Sequence, residues 1–220
     1  KAIKRSTDTF FYKVGEWVGP KKLSQWALAF GLGKKTGVDL PSEATGFVPT
    51  PEWKEKFKGE RWFLGNTYHF AIGQGDILTT PLQINMMTGV IANNGELCSP
   101  RVKKQENERV EDCQSLKLEP ETLRLVKEGM KEACSTGGTA FPFFNFSPRV
   151  ACKTGTAEFG DPQNRTHAWF TAFVLPDEAL AKSGKESIVA TALLEGGGEG
   201  SYVAAPVVKK VMEAWFNGGR

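Results

Sequence analysis

The chain has 220 residues, 40% of them hydrophobic and 24% charged, with a net charge of +3. That is the composition of an ordinary globular protein, long enough to bury roughly 70% of the surface its unfolded form exposes. So small a positive excess, with no Lys/Arg cluster interleaved with aromatics, argues against nucleic acid as a partner, and no apolar run approaches the ~20 residues of a membrane-spanning helix.

Ser6-Thr7-Asp8 offers N-cap chemistry ahead of Phe10, Phe11, Val14, Trp17 and Val18, so residues 6–19 read as an amphipathic helix. Pro20 suits the first turn of a second helix, with Leu23, Trp26, Ala27 and Phe30 on its apolar face and Gly31 as its cap. Residues 32–79 are rich in Gly, Pro and Thr and read as mostly irregular, and long segments of that kind usually wrap a site. Gly31-Leu32-Gly33-Lys34-Lys35-Thr36 fails as a phosphate loop, because no glycine stands directly before the lysine–hydroxyl pair. Thr80-Pro81-Leu82-Gln83 is a helix start: Thr80 caps, Pro81 fits the first helical position, and Gln83 completes a capping box. Ile84, Met87 and Ile91 extend one face until Asn93-Asn94-Gly95 stops it, and Met86 and Met87 read as core filler. Pro100 to Lys104 reads as an edge strand, and residues 105–117 as a solvated hairpin or loop.

Pro120 opens another helix with Leu123, Val126, Met130 and Ala133 on its buried face, ended by Gly137-Gly138. The stretch Phe141 to Phe146 reads as a buried or half-buried connection. Three apolar runs follow, Val150 to Cys152, His167 to Val174 and Ser187 to Leu194, with turn residues between them; they read as strands of one sheet. After the turn Gly196 to Gly200, a closing helix from about Ala204 to Phe216 carries the stripe Val208, Val211, Met212 and Trp215. Helices, then a meander, then a packing helix define a mixed α/β (α+β) class, a mainly antiparallel sheet flanked by helices. The cysteines Cys98, Cys113, Cys134 and Cys152 have no C-x-x-C spacing, which indicates neither zinc nor a disulfide framework. They read mostly as isolated thiols, with one bridge left open if the compartment is oxidising.

Lys153-Thr154-Gly155-Thr156 carries the chemistry. The lysine falls where a strand ends in a glycine, so an ammonium, two hydroxyls and a permissive backbone face one spot. Such a group suits holding a small anion and polarising a carbonyl; the same residues also fit a polar strand end closed by a turn. Joined with Ser6-Thr7-Asp8, and with Ala71-Ile72-Gly73-Gln74-Gly75 ahead of Thr80-Pro81-Leu82-Gln83, the set resembles the penicillin-binding transpeptidases, whose second and third motifs are Ser-x-[Asn/Asp] and Lys-[Ser/Thr]-Gly. His167-Ala168-Trp169-Phe170 is similar to the cell-elongation branch, the penicillin-binding protein 2 group, more than to the division branch, and the closing Ala204-Ala205-Pro206 helix also fits the resemblance. The Gly-Gln-Gly and Thr-Pro-Leu-Gln segment and the long 32–79 region fit a transpeptidase better than a serine β-lactamase.

The resemblance implies the penicillin-binding, serine β-lactamase-like fold and a peptidoglycan D,D-transpeptidase. In that reaction a serine takes the acyl group of a peptide ending in D-Ala-D-Ala, and an amine of a neighbouring strand then resolves the acyl-enzyme. Ser6 would help pass a proton to the leaving amine. Asp8, where many relatives carry Asn, would accept hydrogen bonds from an upstream lysine or the substrate amide. Lys153 would set the positive potential and tune Ser6, and the Thr154 and Thr156 hydroxyls, with Lys153, would hold the terminal carboxylate. The Thr156 N–H would form half of the oxyanion hole, and Gly155 would let the substrate lie close, so that a side chain there blocks the cleft. Ser6 and Asp8 also fit a plain helix N-cap. His167 reads as structural, His69 as untied to chemistry, and Glu158 as cleft rim.

No serine of the chain has lysine three residues on, and the family places that Ser-x-x-Lys motif upstream. The expectation is therefore the C-terminal part of a transpeptidase domain, inactive by itself. Residues 1–31 would be the helices with the Ser-x-Asp motif, 32–148 the loop and helical region, and 149–216 the Lys-Thr-Gly strand, meander and closing helix. The two missing N-terminal strands would lie beside Ser187–Leu194, which would otherwise be an open edge. The alternative is a non-catalytic β-lactam-sensing or partner-binding module of the same fold. The resemblance further implies no cofactor. It implies as partners peptidoglycan stem peptides, β-lactam antibiotics, a glycosyltransferase, elongation-complex proteins and the rest of its own domain. The whole protein would be anchored in the cytoplasmic membrane with this domain outside it.

Overall fold

The computed structural model describes residues 1–103, 113–175 and 187–218. A short helix, α1 (Ala2–Arg5), ends at Ser6, whose left-handed backbone (φ 50°, ψ 53°) turns the chain before α2 (Asp8–Val18). Sequence pattern alone starts a helix at Ser6. Instead Ser6 closes the preceding turn, because its N–H and that of Thr7 return to the Ile3 and Ala2 carbonyls. Next, α3 (Pro20–Ala29) opens on its proline as expected. Residues 32–79 are less irregular than their composition suggests. Pro51–Trp53 continues as a π-helical turn, Lys54–Lys58, and α4 (Leu64–Ala71) follows. Gly65, Asn66 and Thr67 are weak helix formers; burial of Thr67 and Phe70 holds α4, and Asn66 Oδ1 accepts the Phe63 N–H at 2.9 Å.

The capping box of α5 (Pro81–Ala92) forms as expected: the Gln83 N–H donates to Thr80 Oγ1 at 3.2 Å, and Gln83 Oε1 accepts the Thr80 N–H at 3.0 Å. Asn94 and Gly95, both at positive φ, lie just beyond its end. The edge strand expected at Pro100–Lys104 does not form in the described residues. Pro100 has no N–H to give, and Asp39 takes those of Val102 and Lys103 at 2.7 and 3.1 Å. The strand lies earlier, as β1 (Glu96–Cys98), antiparallel to β2 (Cys113–Ser115). Lys104 and residues 105–112 of the expected loop lie outside the described residues. Then come α6 (Pro120–Ala133), β3 (Val150–Glu158), β4 (Thr166–Val174), β5 (Val189–Leu194) and α7 (Ala205–Asn217). Contrary to the sequence reading, β3 does not end at Gly155. It runs on to Glu158, because every residue from Val150 to Glu158 has a partner on β4.

The expectation of mostly isolated thiols is also overturned, since all four cysteines are paired. Cys98 joins Cys113 across β1 and β2, and Cys134, capping α6, joins Cys152 of β3. The partners are 15 and 18 positions apart. No short motif announces such spacings; strand pairing and the docking of α6 create them.

Lys1–Thr7, Ile91–Asn94 and Leu118–Arg220 form one compact unit, built on the antiparallel sheet β3-β4-β5. Period-two alternation gives this sheet two buried faces. Val150 and Cys152 of β3 and Ala168, Phe170, Ala172 and Val174 of β4 pack with Phe143, Ala205, Val208 and Met212. Ala151 and Phe173 point the other way, onto Met130, Val126 and Ile3. Val208 and Met212 line the buried side of α7 as expected, but Val211 and Trp215 are 47% and 43% exposed. The buried line instead runs through Ala205.

Asp8–Val90 and Gly95–Lys117 form the second compact unit, whose core gathers Leu32, Val48 and Phe70 with Leu23, Ala27, Trp62, Ile84 and Met87. Gln83, 1% exposed, donates from Nε2 to the Lys34 and Thr45 carbonyls at 2.7 and 2.8 Å. Burial of so polar a side chain is tolerated because its groups are bonded. The Thr36 and Gly37 N–H groups already donate to the Glu43 carboxylate at 2.7 and 3.3 Å, which agrees with the failed phosphate-loop pattern.

Candidate active site

In the first unit the same alternation aims the motif side chains. Lys153 shares its face with Ala151, the side of α6 and α1, whereas Thr154 shares its face with Cys152. On the Lys153 side, α1 docks along α6. Ile3 seats on Gly129, and the Lys4 ammonium pairs with the Glu132 carboxylate at 2.7 Å, which holds that carboxyl below its usual range. The chain then turns through Ser6. A left-handed backbone at a residue other than glycine is a strained conformation that surrounding contacts must fix. Lys153 Nζ donates to Ser6 Oγ at 2.8 Å and to the Thr154 carbonyl at 2.6 Å. The ammonium is thereby held at a fixed point beside a half-buried hydroxyl.

On the other face Thr154 Oγ1 donates to Thr139 Oγ1 at 3.0 Å. Thr156 follows on that face and is exposed. Gly155 pairs with Trp169 across the sheet, and a Cβ on it would stand 3.0 Å from the Trp169 Cβ. Gly200 lies against the same backbone pair: its own Cβ would meet the Trp169 and Gly155 carbonyl oxygens. The requirement for glycine at position 155 is therefore set by the sheet itself, not solely by room for a ligand.

Of the residues singled out by sequence, Ser6 and Lys153 come into direct contact; the Thr154 hydroxyl does not share their spot as expected, because strand alternation turns it to the other face of β3, where it meets Thr139. Asp8 opens α2, is exposed, and belongs to the second unit. His167 takes a structural part: its Nδ1 accepts the Gly196 N–H at 3.0 Å, and its ring stacks on Phe159 at 4.0 Å between centroids. His69 lies in the last turn of α4, and Glu158 is exposed at the end of β3. Asp161 pins the β3–β4 turn by accepting from the Gln163 N–H at 2.9 Å and from Arg165 Nη2 at 2.7 Å. Arg165 and the turn N–H groups pull its carboxyl down to about 2. Thr139 is the residue the sequence reading missed, since Gly137-Gly138 beside it registers only as a helix stop. Among the described residues no group of three or more His, Cys, Asp and Glu side chains is placed to hold a metal ion.

A sheet covered by helices on both faces, with a serine turn meeting the lysine strand, agrees with the family match: residues 1–213 match the penicillin binding protein transpeptidase domain. The chain belongs to that family. Within it, the similar proteins include MrdA transpeptidases and solved penicillin-binding protein 2 structures. The peptidoglycan D,D-transpeptidase MrdA of Haemophilus influenzae is 35% identical over 99% of this chain, which spans 36% of that protein. The MrdA of Escherichia coli K12 is 32% identical over 92% of this chain, which spans 35% of it. Among solved structures, the complex between penicillin-binding protein 2 and MreC from Helicobacter pylori aligns with a TM-score of 0.82 at 37% identity, covering 99% of this chain and 39% of that one. Penicillin-binding protein 2 of Pseudomonas aeruginosa in complex with WCK 5153 aligns at 0.84 and 35% identity, covering 97% and 46%.

Proposed function

We propose that these residues form the carboxylate-holding wall and part of the proton-transfer machinery of a peptidoglycan D,D-transpeptidase in cell-wall elongation. The observation that carries this reading is the Lys153 ammonium 2.8 Å from the Ser6 hydroxyl, two groups 147 positions apart. In the reaction, a serine outside this sequence attacks the carbonyl between the two D-Ala residues, and the lysine three positions after it takes its proton. The tetrahedral oxyanion is held by backbone N–H groups, that of Thr156 among them; losing one such donor costs about 10²–10³ in rate. Collapse breaks the peptide bond, and the D-Ala amine leaves with a proton passed through Ser6. An incoming amine then attacks the acyl-serine and restores the hydroxyl. Lys153 keeps Ser6 oriented and sets the positive potential, while Thr154 and Thr156 hold the terminal carboxylate, where a charge-assisted hydrogen bond contributes ~1.5–3 kcal/mol. Gly155 keeps the strand backbone open to the peptide or to a β-lactam.

The domain works outside the cytoplasmic membrane, tethered by a helix elsewhere in the protein. Two disulfides suit that oxidising compartment. No described helix is long and apolar enough to cross a membrane. The complex of the Helicobacter pylori relative with MreC supports a place in an elongation complex.

Covalent labelling by fluorescent penicillin tests this function. The full-length protein is labelled and the 220-residue chain alone is not. Lys153→Ala in the full-length protein slows acylation by about 10²–10⁴-fold, the range for losing a positioned proton-transfer group, with the circular dichroism spectrum unchanged. Wild-type acylation by that variant would remove Lys153 from the site.

A further inference from the structure

We propose that Thr139 is a positioning residue for Thr154, fixing the rotamer and the hydrogen-bond polarity with which the Thr154 hydroxyl meets a terminal carboxylate. This rests on the transpeptidase reading of the site. A threonine hydroxyl has one proton and two acceptor lone pairs, and an ionised carboxylate only accepts. The Thr154 hydroxyl, as donor, lies 3.0 Å from Thr139 Oγ1. To hold a carboxylate, that proton has to turn away from Thr139. Rotation of the Thr139 hydroxyl, with a small adjustment of the pair, then lets it donate into the lone pair that Thr154 presents. The pair thus has two polarities: the one in the structure, in which Thr154 donates to Thr139, and the reverse, in which Thr139 donates to Thr154 and the Thr154 proton is given to a carboxylate. A hydroxyl that accepts one hydrogen bond also donates a stronger one.

The segment carrying Thr139 is built to hold it still. The Ala140 N–H donates to the Ala133 carbonyl at 3.0 Å and the Gly138 N–H to that of Ser135 at 2.8 Å, closing the turn on itself. Ala140 is fully buried. A Cβ on Gly138 would stand 2.2 Å from the Ala133 carbonyl oxygen, so only glycine permits this turn. Cys134, at its start, is bonded to Cys152, two residues before Thr154 on the same face of the strand. Thr139 and Thr154 are therefore fastened to one frame, and neither can drift without the other.

The test uses the full-length protein and the concentration dependence of its acylation by penicillin, which separates initial affinity from the limiting acylation rate. Thr139→Val should weaken the initial affinity about fivefold to tenfold, the worth of one ordinary hydrogen bond, and leave the limiting rate within about twofold. Thr139→Ser restores the affinity. The Thr139→Val/Thr154→Val double variant binds no worse than Thr154→Val alone, because the first residue acts through the second. Wild-type affinity in Thr139→Val, or a loss that adds to that of Thr154→Val, overturns the proposal. If Thr139→Val melts early, Thr139→Ala gives the same comparison without the branched side chain. An unacylated wild-type protein would instead defeat the transpeptidase reading itself, so the two failures are distinct.

Discussion

Ile3 lies so close to Gly129 that a Cβ built on the glycine would stand 2.8 Å from the Ile3 Cδ1 and 3.0 Å from its Cβ. This contact seats α1 on α6, and α1 delivers Ser6 to Lys153. Gly129→Ala sets two effects against each other. Alanine in a helix interior is favoured over glycine by roughly 1 kcal/mol. The added methyl also pushes Ile3 away, and a misplacement of about 1 Å at a reacting group can cost 10²-fold in rate. The expected outcome is a melting temperature close to that of the wild-type full-length protein with penicillin acylation slowed about tenfold or more, a fraction of that 10²-fold ceiling. Unchanged acylation would show that the Ser6 turn is set by its own backbone and not by the α1–α6 contact.

The parts of the fold that the sequence makes legible are those written locally. Thr80, Pro81 and Gln83 specify a capping box within one turn, and it forms with both bonds in place. Apolar runs mark β3, β4 and β5 because each residue there has a partner or a buried face. Ser6 was harder. Its hydroxyl suits an N-cap as well as it suits Lys153, and the choice depends on four residues, Ala2–Arg5, that coil only against α6. The disulfide Cys134–Cys152 and the Thr139–Thr154 contact are tertiary products, created where the end of α6 meets the middle of β3. No spacing rule encodes such a meeting, so neither bond can be read from the residues alone.

The Cys134–Cys152 bridge spans 18 positions and joins α6 to the lysine strand. Closing a loop of that size in the unfolded chain is worth about 3 kcal/mol on the chain-entropy account. Cys134→Ala/Cys152→Ala should lower stability by about that amount, and should weaken penicillin affinity as the Thr139 turn loosens. Cys98→Ala/Cys113→Ala is the control: it too loses stability, but acylation stays at the wild-type rate. Denaturant melts read alongside acylation rates check both. Equal effects of the two double variants on acylation would show that the bridge acts only through overall stability.

Asp161 makes the β3–β4 turn sensitive to acid. Hydrogen bonds from Arg165 first, then from the Arg165 and Gln163 N–H groups, favour its charged form in the folded chain, at about 2 against an ordinary 3.8. The sign follows from linkage: a carboxyl depressed by folding contributes stability that is whole above its unfolded value and is lost as pH falls through the folded one. The turn is therefore fully supported above about pH 4 and loses that support progressively toward pH 2. Asp161→Asn removes the ionisable group, so the variant is less stable than wild type at neutral pH and the two converge as pH approaches 2. Urea midpoints of both proteins across that range measure the convergence. Parallel curves would mean that the turn hydrogen bonds, which an amide oxygen can also accept, matter more than the charge.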